Sequence, residues 1–407
     1  MRIALLHYSA PPVIGGVESV IAHQARWMAQ DGHRVSVLAG RGSHFDERIA
    51  FIRLPLADSI HPQILALKRE LDRGHHPPEF GEVVVALKRE LSHHLAKSDV
   101  LIAHNVCSLH LNLALTAALW ELFRESRRPA LILWHHDLAW ATPRYRKELH
   151  PGYPWDLLRK PWPGAVQVAA SEMRRQELAE LLGLDVEQIT VIPNGVDIFS
   201  FLKLEPSTQE YLKRMNLTQA DPLLLLPARI TPRKNIELAL RTLAALRSEF
   251  PQAQLLVTGP LGAHNPANVK YFAQLKRLRY ELGLEHSAHF LAEVSSGYVP
   301  DAVIADFYRL ADALFFPSYE EGFGIPILEA ALAGRPIFCS DIPPLRALGG
   351  KEVTYFSPDA EPEEIAARMA AYFRENPLYI LASRVRRNFS WEQIYRNHIL
   401  PILQKAR

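Results

Sequence analysis

Short apolar runs alternate with longer amphipathic stretches along the 407-residue chain, and this alternation constrains the fold more than any other feature. RIALLHY (2–8), RVSVLAG (34–40), DVLIAHN (99–105), ALILWHH (130–136) and AVQVAAS (165–171) are the strand candidates of the first half. Between them lie helix-like segments such as VESVIAHQARWMAQDG (17–32), which ends on a glycine where a helix C-cap is expected. Strands that read as apolar runs, with little polar alternation, are buried on both faces. Such strands belong to parallel sheets covered by helices on either side. A second series follows: PLLLLPAR (222–229), AQLLVTG (253–259), AHFLAE (288–293), DALFFPS (312–318) and PIFCSD (336–341). The turn-rich PNGVD within VIPNGVD (191–197) reads as the link between the series. The pattern therefore predicts two doubly wound α/β domains, 1–195 and 196–388, each within the usual size range. The tail FSWEQIYRNHILPILQKAR (389–407) is helical in pattern, with a break expected at Pro401.

Composition excludes several classes of function. The formal net charge is +2 and evenly spread, which gives nucleic acid no basic footprint. Cys107 and Cys339 are the only cysteines and are far apart, which suits a reduced, cytoplasmic setting. The apolar run in MRIALLHYSAPP is too short for a signal peptide, and no segment reaches the 18 or so apolar residues of a membrane span. A soluble protein is expected. ALKREL occurs at 66–71 and 86–91 with unlike flanks, and it reads as two charged helix faces, not a repeat. The doubled histidines His75-His76 and His93-His94 read as solvated, not as a metal site.

The stretch SYEEGFGIPILEA (318–330) is the chemically distinctive one. A buried strand precedes it, Gly322 and Gly324 loosen the backbone, and Pro326 suits the first turn of a helix that should stop at Gly334. Glu321 then lies in the loop and Glu329 in the opening turn or so of the helix. A strand, a Gly-rich loop and a helix N-terminus together form a ready phosphate site at the carboxyl edge of a sheet. Two carboxylates beside phosphate would repel it, so their useful targets are hydroxyls. A phosphorylated, polyhydroxylated ligand answers both needs, and a nucleotide sugar is one. In PARITPRKN (227–235), Arg229 and Lys234 bring cations to the same edge. PVIGGV (12–17) follows the first strand with Gly15-Gly16. It falls short of G-x-G-x-x-G, which argues against a nicotinamide enzyme.

These features in this order resemble the retaining glycosyltransferases of family 4: EGFGIPILE (321–329), Arg229 with Lys234-Asn235, VIPNGVD, and the early Gly15-Gly16. The resemblance spans nearly the whole chain. It implies the GT-B fold, two Rossmann-like domains facing across a cleft, with the C-terminal helix crossing back to the first. Glu329 would bind the ribose hydroxyls and Glu321 the donor sugar. Backbone amides of Phe323, Gly324 and Ile325 would approach the sugar or diphosphate, and Gly15 and Gly16 would lie against the donor. Arg229 and Lys234 would stabilise the leaving diphosphate. A histidine after the strand ALILW would touch the donor sugar, either His135 or His136, with His136 before Asp137 the better match. Ser171-Glu172 would line the cleft.

By the same resemblance the chain moves a hexose, mannose or glucose, from a nucleotide-diphosphate sugar to a hydroxyl of a sugar, glycan or lipid-linked acceptor. Neither motif glutamate is placed to attack the anomeric carbon. A same-face displacement, with the departing diphosphate oxygen taking the acceptor's proton, is therefore expected. Arg229, Lys234 and helix-dipole amides would serve in place of a metal, and no cofactor is expected. The segment 140–162 interleaves Trp140, Trp155 and Trp162 with Arg144, Arg146, Lys147, Arg159 and Lys160. Either the Trp faces form a platform that stacks on sugar rings while the basic groups meet an anionic acceptor, or the segment makes weak contact with the inner membrane face carrying a lipid-linked acceptor, unless its aromatics fold under. A monomer or homodimer is expected. The rivals are a GT-B sugar-nucleotide epimerase and a non-catalytic nucleotide-sugar binder. Turnover without acceptor would mark the first, and binding without turnover the second.

Overall fold

A computed structural model describes residues 1–126, 128–261, 267–295 and 299–406. The chain forms two compact units, Met1–Val196 with Asn388–Arg407, and Asp197–Arg387.

In the first unit the apolar runs become β1 (Arg2–Ser9), β2 (Arg34–Arg41), β3 (Ile49–Arg53), β4 (Val100–His104), β5 (Ala130–His135), β6 (Val166–Ala169) and β7 (Ile189–Val191). All pairings are parallel, in the order β3-β2-β1-β4-β5-β6-β7. Because successive side chains leave opposite faces, Ile3 and Leu5 join one core with Val35, Val37 and Ile102. Ala4 and Leu6 join another with Leu101, Leu133 and Val84. Both faces are dry, which is why these strands read as continuous apolar runs.

The second unit holds β8 (Leu223–Leu226), β9 (Gln254–Val257), β10 (Ala288–Phe290), β11 (Ala313–Phe316), β12 (Ile337–Ser340) and β13 (Thr354–Phe356). They are again all parallel, in the order β10-β9-β8-β11-β12-β13. Each sheet is wound outward from its first strand, then from the neighbour of that strand in the other direction. The connections therefore part company at the carboxyl ends of β1 and β4, and of β8 and β11, the places where open α/β sheets bind ligands.

The sequence pattern misses β3, β7 and β13, and all three are edge strands. Their residues are only half-buried in part, so they lack the continuous apolar signature of the central strands. β7 ends on Val191, inside the segment read as a linker.

The tail is not broken at Pro401. Trp391–Ile394 is α-helical, Tyr395–Ile399 is a π turn, and Leu400–Lys405 is α-helical again. The wide turn lies just ahead of the proline, where the missing N–H would otherwise interrupt the α ladder. Within the first unit, the Trp391 ring stacks on His23 at 5.1 Å and Tyr395 Oη donates to Asp31 at 2.9 Å. A Cβ on Gly195 would lie 2.9 Å from Trp391 Cα, which accounts for the glycine of PNGVD.

The segment 140–162 differs from its aromatic-platform reading. Trp155 and Trp162 are 4% and 5% exposed and belong to the core. Trp140 donates to Trp155 O at 3.2 Å and lies under the Arg159 guanidinium. An indole face packed against helices cannot also stack on a sugar, so only the exposed Arg144, Arg146, Lys147 and Lys160 remain for an anionic partner. Among the described residues, no helix is long and apolar enough to cross a membrane.

Candidate functional site

In the second unit the residues singled out from sequence gather on the two loops at the carboxyl ends of β8 and β11. Chain leaving β8 runs through Arg229 to the 3-10 turn Pro232–Lys234, then through Asn235, at φ +51°, into the helix Ile236–Leu246. Chain leaving β11 runs through Glu321 to Gly324 and the helix Ile325–Leu332. The loops are tied together, since Tyr319 N donates to Arg233 O at 2.9 Å and Arg233 to Glu320 O at 3.2 Å.

Lys234 and Glu321 meet directly between these loops, each side chain 8% exposed. Glu321 also accepts from Ser318 Oγ at 2.7 Å, with Arg233 Nη1 3.9 Å away. Lys234 Nζ lies 5.1 Å from the centre of the Phe316 ring. Burial lowers the Lys234 pKa while the Glu321 carboxylate opposes that shift. Arg229 is exposed and makes no ion pair among the described residues.

The helix after this loop starts and stops where its sequence dictates. Gly324 has φ +108°, and a Cβ there would come within 2.6 Å of Leu345. Its glycine is thus required by backbone conformation and packing, not only by close approach of a ligand. Pro326, which has no N–H, occupies the opening turn, Ile327 N donates to Gly324 O at 3.0 Å, and Gly334 at φ +66° ends the helix. Phe323 and Ile325 flank this opening and are both exposed. Glu329, the fifth helical residue, is exposed, and its carboxylate accepts from Tyr308 Oη at 2.6 Å. Burial first, then the Glu329 charge, pushes the Tyr308 phenol far up, so it stays a donor.

In the first unit, Gly15 and Gly16 open the helix Gly16–Gln30 after β1. A Cβ on Gly15 would strike the Glu18 carboxylate at 2.1 Å, whereas Gly16 has open space. Glu18 is held by Ser9 Oγ, with His7 Nε2 4.0 Å away. The two histidines that close ALILWHH part company. His135 is 3% exposed inside the sheet and its Nε2 meets Gln167 Oε1 at 2.8 Å. His136 stands past the strand end, partly exposed, with Nε2 3.1 Å from His104 Nδ1. Asn105, at φ +57°, accepts from the backbone N–H of His136 and of Asp137 at 2.7 and 3.1 Å. Ser171 caps the helix Glu172–Leu182 by accepting from Arg174 N.

Sequence reading missed Tyr308, Ser318, His104 and Asn105. Their only signal was position, three of them at the ends of strands already recognised. Gly259 was missed too. It follows β9, and a Cβ there would fall 1.9 Å from Ala228 O, so it admits the β8 loop that carries Arg229.

The histidine and carboxylate atoms that lie close enough for a metal, among the described residues, belong to Asp72, His110 and Glu148. Lys68 Nζ donates to Asp72 at 2.6 Å and Glu148 at 2.9 Å, so an ammonium already supplies the cation there. His75, His76, His93 and His94 take no part in this group.

Residues 14–198 match the family model Glycosyltransferase Family 4, and residues 207–388 match Glycosyl transferases group 1. The chain belongs to the family 4 glycosyltransferases. Its two parallel-sheet units are those of the GT-B fold. It is 28% identical over 241 residues to a D-inositol 3-phosphate glycosyltransferase of Kineococcus radiotolerans, covering 55% of this chain and 53% of that one. It is 26% identical over 373 residues to a mannosylglucosylglycerate synthase of Petrotoga mobilis, covering 84% and 83%. Among solved structures, a sucrose-phosphate synthase of Thermosynechococcus elongatus aligns over all of both chains with 17% identity and a TM-score of 0.38. The chain thus spans about half the length of the first of these relatives.

Proposed function

We propose that this family 4 glycosyltransferase moves a hexosyl group, mannose or glucose, from a nucleotide-diphosphate sugar to a hydroxyl of a sugar, glycan or lipid-linked acceptor, with retention at the anomeric carbon. The observation that carries the reading is the gathering of Arg229, Lys234 and Glu321 on the loops at the β8/β11 switch point, with Glu329 on the helix that one of those loops opens. Cations and helix N–H groups suit a diphosphate, and the carboxylates suit hydroxyls, so the edge matches both halves of such a donor.

In the reaction the anomeric carbon–diphosphate bond breaks and a bond to the acceptor oxygen forms on the same face. The acceptor's proton passes to the departing diphosphate oxygen. Arg229, exposed and without an ion pair among the described residues, meets the charge developing on that oxygen, and Lys234 shares its charge between the diphosphate and Glu321. Glu329, held by Tyr308, takes the ribose hydroxyls. No metal enters this scheme, in which Arg229 and Lys234 supply the positive charge that a metal would otherwise bring.

The test is a thermal-shift panel of UDP, GDP, ADP and their common sugars, with and without EDTA. Stabilisation by one base that EDTA leaves unchanged supports the reading. No shift with any of them would overturn the donor site. NMR of the product formed from the selected donor, read at the anomeric proton, then reports retention or inversion.

A further inference from the structure

His104, at the carboxyl end of β4, is fully buried. Its ring lies nearly parallel to those of Trp134 and His136, with centroids 5.4 Å from each and interplanar angles of 29° and 18°, and those two rings are themselves 6.5 Å apart. Its Nδ1 faces His136 Nε2 at 3.1 Å, and its Nε2 is buried with no hydrogen-bond partner among the described residues. The backbone beside it is also fixed, since His7 Nδ1 meets His104 O at 2.8 Å and Asn105 holds the turn that carries His136.

Two neutral imidazoles that meet nitrogen to nitrogen share one proton, and the second ring atom of each settles which ring supplies it. Were His136 the donor, His104 would accept at Nδ1 and carry its own proton on Nε2, leaving a buried N–H with nothing to accept it. With His104 as donor, the orphan is a lone pair. Buried N–H groups without acceptors are the rarer and costlier of the two. Burial keeps both rings neutral, holding His136 down at about 3 and His104 well below its ordinary value, with neighbouring histidines acting in the same direction.

We propose that His104 is a positioning residue: by donating its Nδ1–H to His136 Nε2, it locks His136 in the tautomer protonated on Nδ1, so that His136 offers a neutral N–H to an oxygen of the donor sugar. The final clause rests on the proposed function. The lock does not. A neutral donor suits a hydroxyl, where an imidazolium would favour the diphosphate.

The experiment is a long-range proton–nitrogen correlation of the full-length, unliganded protein labelled with ¹⁵N-histidine. The expected result is a protonated Nδ1 and bare Nε2 on His136. His104→Phe keeps an aromatic ring on Trp134 but removes the donor, and it should return His136 to the Nε2-protonated form that free histidine prefers. Donor KM should rise about 5- to 10-fold, the size expected for one lost hydrogen bond, with kcat less affected. His104→Asn, which places an amide N–H near the lost Nδ1, should recover most of that loss. A wild-type His136 protonated on Nε2, or one whose tautomer is unmoved by His104→Phe, overturns the lock. If His104→Phe does not fold, the wild-type spectrum alone decides. A confirmed lock with donor KM unchanged in His136→Ala would instead overturn the sugar contact, separating that failure from failure of the lock.

Discussion

The Lys234 ammonium and the Glu321 carboxylate are joined directly across 87 residues of sequence, and neither is more than 8% exposed. Two groups assigned to different parts of the donor, leaving group and sugar, are thus one electrostatic unit. Lys234→Ala should leave the buried Glu321 with only the more distant Arg233 guanidinium, 3.9 Å away, as counter-charge. It is expected to destabilise the protein by about 3 kcal/mol, the usual cost of breaking such a pair, as well as lower turnover. Glu321→Ala should cost a similar amount. The double variant should cost less than the sum, because no uncompensated charge remains. Urea unfolding of the four proteins without ligand measures this coupling, and strict additivity would show that the pair is not a unit.

Arg229 should behave in the opposite way. It is exposed and unpaired among the described residues, so Arg229→Ala removes no stabilising partner. Stability is expected to stay within about 0.5 kcal/mol of wild type. Turnover should fall about 10²–10³-fold if the guanidinium meets charge that develops only in the transition state. Steady-state kinetics beside urea unfolding gives both numbers, and a fall in KM-type binding alone would place Arg229 outside the reaction.

How legible the site was depends on what kind of contact built it. The central strands and the helix from Ile325 were readable, because burial on two faces, Pro326 and Gly334 each leave a local mark. The edge strands β3, β7 and β13 were not, because half-solvated strands carry no continuous apolar run. The roles proposed for Glu321 and Glu329 came from their spacing and a family resemblance. What holds them, Lys234 and Tyr308, lies 87 and 21 residues away, and only the fold brings those partners together. The same limit applied to the Trp residues of 140–162. Their spacing suited a platform, whereas tertiary packing placed Trp155 and Trp162 inside.

Tyr308 supplies the next expectation. Its hydroxyl is the group that orients Glu329, at 2.6 Å. Glu329→Ala should weaken nucleotide binding. Tyr308→Phe should weaken it through the same carboxylate, by about 1 kcal/mol, or about 5-fold in Kd. The two changes should not add in the double variant if Tyr308 acts on the ribose only through Glu329. Calorimetric titration with the nucleoside diphosphate found by the thermal-shift panel tests this. Full additivity would mean that Tyr308 binds the nucleotide by itself, and unchanged affinity in Glu329→Ala would sink the ribose assignment.

Asn105 carries a stability prediction separate from the donor. Its Oδ1 accepts two backbone N–H groups, and its φ of +57° is a conformation asparagine tolerates better than alanine. Asn105→Ala should cost about 2–4 kcal/mol, from two part-buried donors left unpaired and from backbone strain. Asn105→Gly relieves the strain but not the lost bonds, so it should be the milder of the two. Equal unfolding midpoints for wild type and Asn105→Ala would remove Asn105 from the structural account of the His136 turn.

His135 at the end of β5 and His136 just past it set the behaviour in acid. Burial lowers His135 to about 4 and His136 to about 3, while an unfolded histidine titrates near about 6.5. Between those values the unfolded chain binds protons that the folded chain refuses, so stability rises with pH across the window. The contribution is fully present above pH of about 6.5 and is lost as pH falls toward 4. By pH 5 each ring should have cost about 2 kcal/mol, well before most carboxylates protonate. Unfolding midpoints in urea at pH 7, 6 and 5 should therefore fall steadily. His135→Gln should flatten part of that slope, whatever its effect on stability at pH 7. A wild-type midpoint constant from pH 7 to 5 would mean that these rings accept protons in the folded protein.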